Sequence, residues 1–80
     1  MDFTQYNDVV QQWIQQIMEN REKNAELTLK YANDIIEYGQ KNDDCKLMGI
    51  GYYYSGEIYY GLNDGEHFFE TMNKALSYLN

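Results

Sequence analysis

The residues able to do chemistry in this chain are few, and their spacing argues against each reaction they could support. His67 and Glu70 stand one helical turn apart, which puts an imidazole and a carboxylate on the same face. Two such ligands make a poor metal site, because zinc needs at least three protein ligands, and no second His or Cys lies nearby in the sequence. Glu66 and Glu70 also share a face, but Lys74 continues their row, so they read as a solvated acid-to-base stripe. General acid–base catalysis would require a pocket and a raised pKa, for which the sequence gives no sign. The spacing Gly49-x-Gly51-x-x-x-x-Gly56 departs from the dinucleotide G-x-G-x-x-G fingerprint and follows no strand; helix packing accounts for it better. Asp43-Asp44 and Asn63-Asp64-Gly65 lack the alternating ligands and terminal glutamate of a calcium loop and read as helix caps. Cys45, at a helix N-terminus, is placed for a depressed thiol pKa, yet it has no partner histidine and reads as an incidental thiol. The expectation is a non-enzymatic chain with no metal and no cofactor.

Composition narrows the partners. Eighty residues form one small domain, 1–80, below the size at which a core is comfortably stable unaided. A single cysteine cannot make an internal disulfide, so stability must come from well-packed helices, an oligomer or a neighbouring domain. Thirteen acidic against six basic residues give a net charge of −7, which repels phosphates and anionic headgroups and argues against nucleic acid and membrane. No apolar run approaches the ~20 residues of a membrane span. Met1-Asp2-Phe3-Thr4 lacks the basic start of a signal peptide, so the expected compartment is the cytoplasm, in keeping with a lone reduced thiol. Proline is absent, leaving nothing to forbid long helices, and nine tyrosines supply contact area with a polar tip.

The elements that must position these residues are four helices. Tyr6, Val9, Val10, Trp13, Ile14, Ile17 and Met18 recur at helical spacing, with glutamines opposite; Thr4 or Asp2 is the expected N-cap and the break falls near Asn20. A second helix is predicted from about Glu22 to Gln40, where Ala25, Leu29, Ala32, Ile36 and Gly39 form one apolar line. Leu27, Tyr31, Ile35 and Tyr38 form another beside it, so neighbours on both sides are expected. Asp43 or Asp44 caps a third helix, about Cys45 to Leu62. Its Gly49, Gly51, Ser55 and Gly56 each cost helix propensity, up to ~1 kcal/mol, which close approach by another helix would offset. Asn63 with Glu66 fits a capping box opening the fourth helix, with Phe68, Met72, Ala75, Leu76 and Leu79 as its buried line. The predicted fold is all-α: four antiparallel helices as two stacked hairpins, about 4–40 and 43–80, a repeat of roughly forty residues.

The stretch from Leu47 to Leu79 resembles the tetratricopeptide repeat pattern W-x2-L-G-x2-Y…A-x3-F. Gly56, Tyr59 and Ala75 match it, Tyr52 replaces the tryptophan with another aromatic, and Met72 fills the large apolar position. Tyr31-Ala32-x-x-Ile35-Ile36-x-Tyr38 with Asn42-Asp43 is similar to the second helix of a longer-turn variety, common in bacterial regulators beside cyclase, kinase or DNA-binding domains. Ser55, Phe68 and Asn80 depart from the pattern, and the first helix does not carry it in register. The resemblance implies a protein–protein interaction module, the N-terminal region of a larger signalling or regulatory protein.

In such repeats the face opposite the hairpin lines a groove. Here that face is Ile50, Tyr53, Glu57 and Tyr60, the expected protein-binding residues. Tyr53 and Glu57 stand where a terminal-carboxylate clamp has Lys and Asn, so an apolar or basic protein segment, or an adjoining domain, suits it better. Two alternatives stay open. Tyr53 and Tyr60 could pack on the first helix, and the chain could be a small bundle that forms a homodimer, gaining core by self-association.

Overall fold

The apolar stripes fold as helices. A computed structural model describes residues 6–80 as α1 (Asp8–Asn20), α2 (Ala25–Lys41), α3 (Cys45–Gly61) and α4 (Gly65–Leu79). No strand occurs among the described residues, and each helix packs on the one before it. The fold class is all-α, as the periodicity predicts. Contacts run antiparallel: Trp13 meets Tyr38, Ala32 meets Gly51, Gly49 meets Leu79, and Tyr59 meets His67.

Every helix opens on an Asx side chain that accepts the amide three residues on, satisfying one of the orphan N–H groups of a helix start. Asn7 takes Val10 N at 3.1 Å, Asn24 takes Leu27 N at 3.0 Å, Asp44 takes Leu47 N at 3.0 Å and Asp64 takes His67 N at 3.2 Å. Three boundaries differ from expectation. The caps expected at Asp2 and Thr4 lie outside the described residues, and the cap found for α1 is Asn7, whose amide also donates to the Tyr38 hydroxyl. α2 starts at Ala25 rather than near Glu22, because Asn20 to Asn24 closes a turn, with Asn24 N donating to Asn20 O at 2.7 Å. At α4 the cap is Asp64 and not Asn63, which sits in the left-handed region with φ 59°.

The two later links are twins. In one, Asp44 N donates to Gly39 O at 2.8 Å and Asp43 (φ 52°) is left-handed; in the other, Asp64 N donates to Tyr59 O at 2.9 Å around Asn63. This is the Schellman ending, made with Asp and Asn where glycine is usual. The residue that closes one helix, Asp44 or Asp64, also caps the next.

The core lies among the first three helices: Val10, Ile14 and Ile17 of α1, Ala32 and Ile35 of α2, and Leu47, Ile50 and Tyr54 of α3. Trp13 and Tyr38 close its edge as a T-shaped pair with centroids 5.9 Å apart. Thr28 is also fully buried, its hydroxyl returned to Asn24 O at 2.9 Å. The small residues of α3 serve two neighbours. A Cβ at Gly51 would lie 2.9 Å from the Ala32 carbonyl oxygen and 2.5 Å from Ile36 Cγ1 of α2, whereas one at Gly56 would meet the Met72 thioether of α4 at 2.8 Å. Ser55 is buried, donating to Gly51 O at 3.1 Å.

Candidate functional site

Because α3 is flanked by α2 and α4, one outer strip of it remains. Tyr53, Glu57 and Tyr60 recur along that strip at i, i+4 and i+7, and the structure leaves Tyr53 45% and Tyr60 70% exposed. Ile50, the fourth residue expected there, is only 3% exposed and belongs to the core, reaching the surface only as the floor of a dimple. Tyr53 lies edge-on to the buried Tyr54, with centroids 5.7 Å apart, and Tyr60 lies 5.3 Å from the Phe68 ring of α4. Glu57 is half-buried and reaches across to Arg21 at the end of α1, with N to O 3.9 Å. Burial pushes the Tyr54 phenol above its ordinary pKa, and the Glu57 carboxylate adds to the rise.

The fourth helix corrects the predicted burial and adds residues that sequence reasoning missed. Leu76 and Leu79, expected in the buried line, are exposed; Ala75 alone of that helix is buried. α4 packs only on α3, so a residue about 100° around from Ala75 has no second helix over it. Phe69 (67% exposed), Met72, Leu76 (59% exposed) and Leu79 then form an apolar row at 3–4–3 spacing on the side facing Tyr53 and Tyr60. The signal for Phe69 was that row itself, hidden because Phe68 was the better match to the packing line.

Two dimples mark the ends of this face. One, of about 230 Å³, is lined by Ile50, Tyr53, Tyr54 and Leu79. The other, of about 330 Å³, is lined by Tyr60, Asn63, Asp64, Gly65, Phe68 and Phe69. Both are apolar in floor and shallow, and neither brings together a nucleophile and a base.

The remaining candidates sit apart from it. His67 stands in the first turn of α4, where its Nδ1 lies 2.7 Å from Asp64 Oδ2 and its ring stacks on Tyr59 with centroids 5.0 Å apart. The hydrogen bond from its backbone N–H, then its side chain, hold the Asp64 carboxyl below the ordinary range, and the bond to Asp64 raises the imidazole pKa. Among the described residues no three His, Cys, Asp or Glu side chains are placed to hold a metal ion, and no buried side-chain N or O lacks a partner. Glu70 pairs loosely with Lys74 at 3.9 Å, Lys74 lies 5.3 Å over the Tyr52 ring, and Cys45 is an exposed free thiol. Among the described residues no helix is long and apolar enough to cross a membrane.

No protein-family model, curated protein or solved structure matches the chain. The tetratricopeptide resemblance rests on the sequence residues that carry it, three of which lie on the α3–α4 seam. Gly56 faces Met72, Tyr52 stacks flat on Tyr78 at 5.8 Å, and Ala75 is buried.

Proposed function

We propose that this chain is a non-enzymatic protein-interaction module of the tetratricopeptide kind, in the bacterial signalling or regulatory setting that the resemblance implies. Its contact face runs along Tyr53, Glu57 and Tyr60 of α3 and Phe69, Leu76 and Leu79 of α4. The observation that carries this reading is the exposure of so many large apolar side chains on one side of so small a chain. Tyr60, Phe69 and Leu76 are each more than half exposed, although isolated surface apolar residues would need no explanation. Aromatic residues grouped with a charged rim are the composition of contact surfaces, and tyrosine loses little freedom when it is covered.

Photo-crosslinking in cells tests it. A benzophenone side chain at Tyr60 should give a discrete adduct with another protein, abolished by Leu76→Ser, while the same group at Asn33, exposed on α2, should not. Equal labelling from both positions would count against the face.

A second reading is favoured by the 3–4–3 row on α4, the spacing by which two helices pair along one seam. In it the chain covers this face with its own copy. Sedimentation equilibrium separates the two: a dimer at micromolar concentration, dissociated by Leu76→Ser, supports self-association.

A further inference from the structure

We infer that the cavity between the α1–α2 turn and the end of α3 binds a small zwitterion, an α-amino acid with an apolar side chain. The site goes beyond the contact face and touches it only at Glu57.

The cavity has a volume of about 470 Å³. One wall is the turn from Arg21 to Ala25, and the other is α3 from Glu57 to its cap, Leu62. Its room is kept by a glycine that packing does not require. Gly39, Gly49, Gly51 and Gly56 each admit a neighbouring helix, since a Cβ there would meet a side-chain atom at 2.5 to 2.8 Å. Gly61 lines the cavity, and a Cβ on it would meet nothing within 4 Å. No glycine here has a positive φ, so backbone geometry does not ask for one at this position either. The helix gives up propensity at Gly61, and what it gains is open space in the cavity.

The two walls differ in charge. The turn carries two cations, Arg21 and Lys23, against one carboxylate, Glu22, whereas the α3 wall carries the carboxylate of Glu57 alone. These sum to zero, so a simple anion would face Glu57 and a simple cation would face Arg21. A neutral molecule with separated charges satisfies both walls. Arg21 and Glu57 stand 3.9 Å apart, N to O, with side chains 42% and 36% exposed. That is too long for a hydrogen bond, and so exposed a pair holds its members weakly. The ammonium and carboxylate of an α-amino acid share one carbon and stand about a hydrogen bond apart. Laid beside the pair, the ligand's carboxylate accepts from the guanidinium and its ammonium donates to Glu57. The result is a ring of four alternating charges, with the existing 3.9 Å gap as its fourth side. Arg21 is the only arginine in the chain, and its planar fork suits a carboxylate. Lys23, which forms no ion pair among the described residues, adds charge on the same wall. Ala25, Ile58 and Leu62 offer the ligand's side chain an apolar surface, and Leu62, 54% exposed, is the part it would cover.

The test titrates the intact chain with leucine and follows backbone amide shifts by NMR. The shifts should saturate with a dissociation constant of roughly 1 mM, as befits a small ligand in an open cavity, and centre on residues 21–25 and 57–62. Leucinamide lacks the carboxylate, N-acetyl-leucine lacks the ammonium and glycine lacks the side chain; each should bind at least tenfold more weakly. Arg21→Gln and Glu57→Gln should each weaken leucine tenfold or more, the effect of losing a charged hydrogen bond. Gly61→Leu should abolish binding with a thermal melt at or above the parent's, because the new side chain fills the cavity without a clash. Equal binding of leucine and any of the three analogues, undiminished binding to Gly61→Leu, or shifts centred elsewhere would overturn the inference. So would the absence of saturable shifts up to about 50 mM leucine. Tyr60, Phe69 and Leu76 line no part of the cavity, so leucine binding and the crosslink at Tyr60 stand or fall separately.

Discussion

The two seams of α3 use the same device with different backing. Toward α2, Gly51 admits a neighbouring backbone: the Ala32 carbonyl lies within 2.9 Å of where a Cβ would be, inside a core completed by α1. Toward α4, Gly56 and Gly49 admit side chains, Met72 and Leu79, and behind them stands a helix with a single buried residue. A backbone fixed by three packed helices cannot yield, whereas a thioether with three rotatable bonds can. The first seam is therefore where the fold is specified. The second holds α4 in place while leaving its other apolar side open.

The largest contrast should come from truncating one aliphatic residue on each side. Ile35→Ala, in the three-helix core, should cost ~2–5 kcal/mol and leave so small a domain largely unfolded. Leu76→Ala should change stability by no more than ~0.5 kcal/mol. Urea melts decide it; similar midpoints for the two variants would erase the distinction between core and edge.

The glycines sharpen the comparison. Gly51→Ala should lose ~1–3 kcal/mol through overpacking against the α2 backbone. Gly56→Ala should stay within ~1 kcal/mol of the parent, because Met72 can shift and alanine is the better helix former by about that much. The family pattern alone puts the weight on Gly56 and expects an opposing backbone there; the closest backbone approach is at Gly51 instead. A Gly56→Ala chain that melts well below Gly51→Ala would restore the pattern's view.

What the sequence made legible follows from the range of each signal. Helix number, the break at Asn20 and the identity of α3's hairpin face, Tyr52, Gly56 and Tyr59, come from local periodicity and turn chemistry, which are written within a few residues. Which apolar side of α4 is covered depends on whether another helix lies over it, and nothing local to Leu76 or Leu79 records that. Ile50 shows the same limit in reverse: its place on the outer strip was readable, but its burial depends on the core it shares with Val10 and Ile14, far away in the sequence. The cap of α4 falls at Asp64 rather than the expected Asn63 because both residue types cap well, and only the left-handed backbone of Asn63 separates them.

Smaller effects test the links. Glycine accepts φ near +55° without the Cβ penalty, so Asp43→Gly and Asn63→Gly should each raise stability by up to ~1 kcal/mol, the Asp43 change more, since asparagine already tolerates this region. A loss on either substitution would mean that the side chain itself holds the link.

The smallest effect is a pH dependence confined to the start of α4. Asp64 is depressed below its ordinary 3.8, so its contribution is present above that value and is lost as pH falls through the depressed one. His67 is raised above its ordinary 6.5, so its contribution is complete below 6.5 and is lost as pH rises through the raised value. The start of α4 should be held best between about pH 4 and 6.5. The His67 ring protons should titrate above 6.5 and move back down in Asp64→Asn; an unchanged midpoint would remove the coupling.

The doubled duty of Asp44 and Asp64 has a mechanical consequence. One residue is bonded backward to the ending helix and forward to the starting one, so bending either joint must break a bond on one side or the other. Turning α4 against α3, or α3 against α2, therefore costs hydrogen bonds that a slack loop would not have to give up.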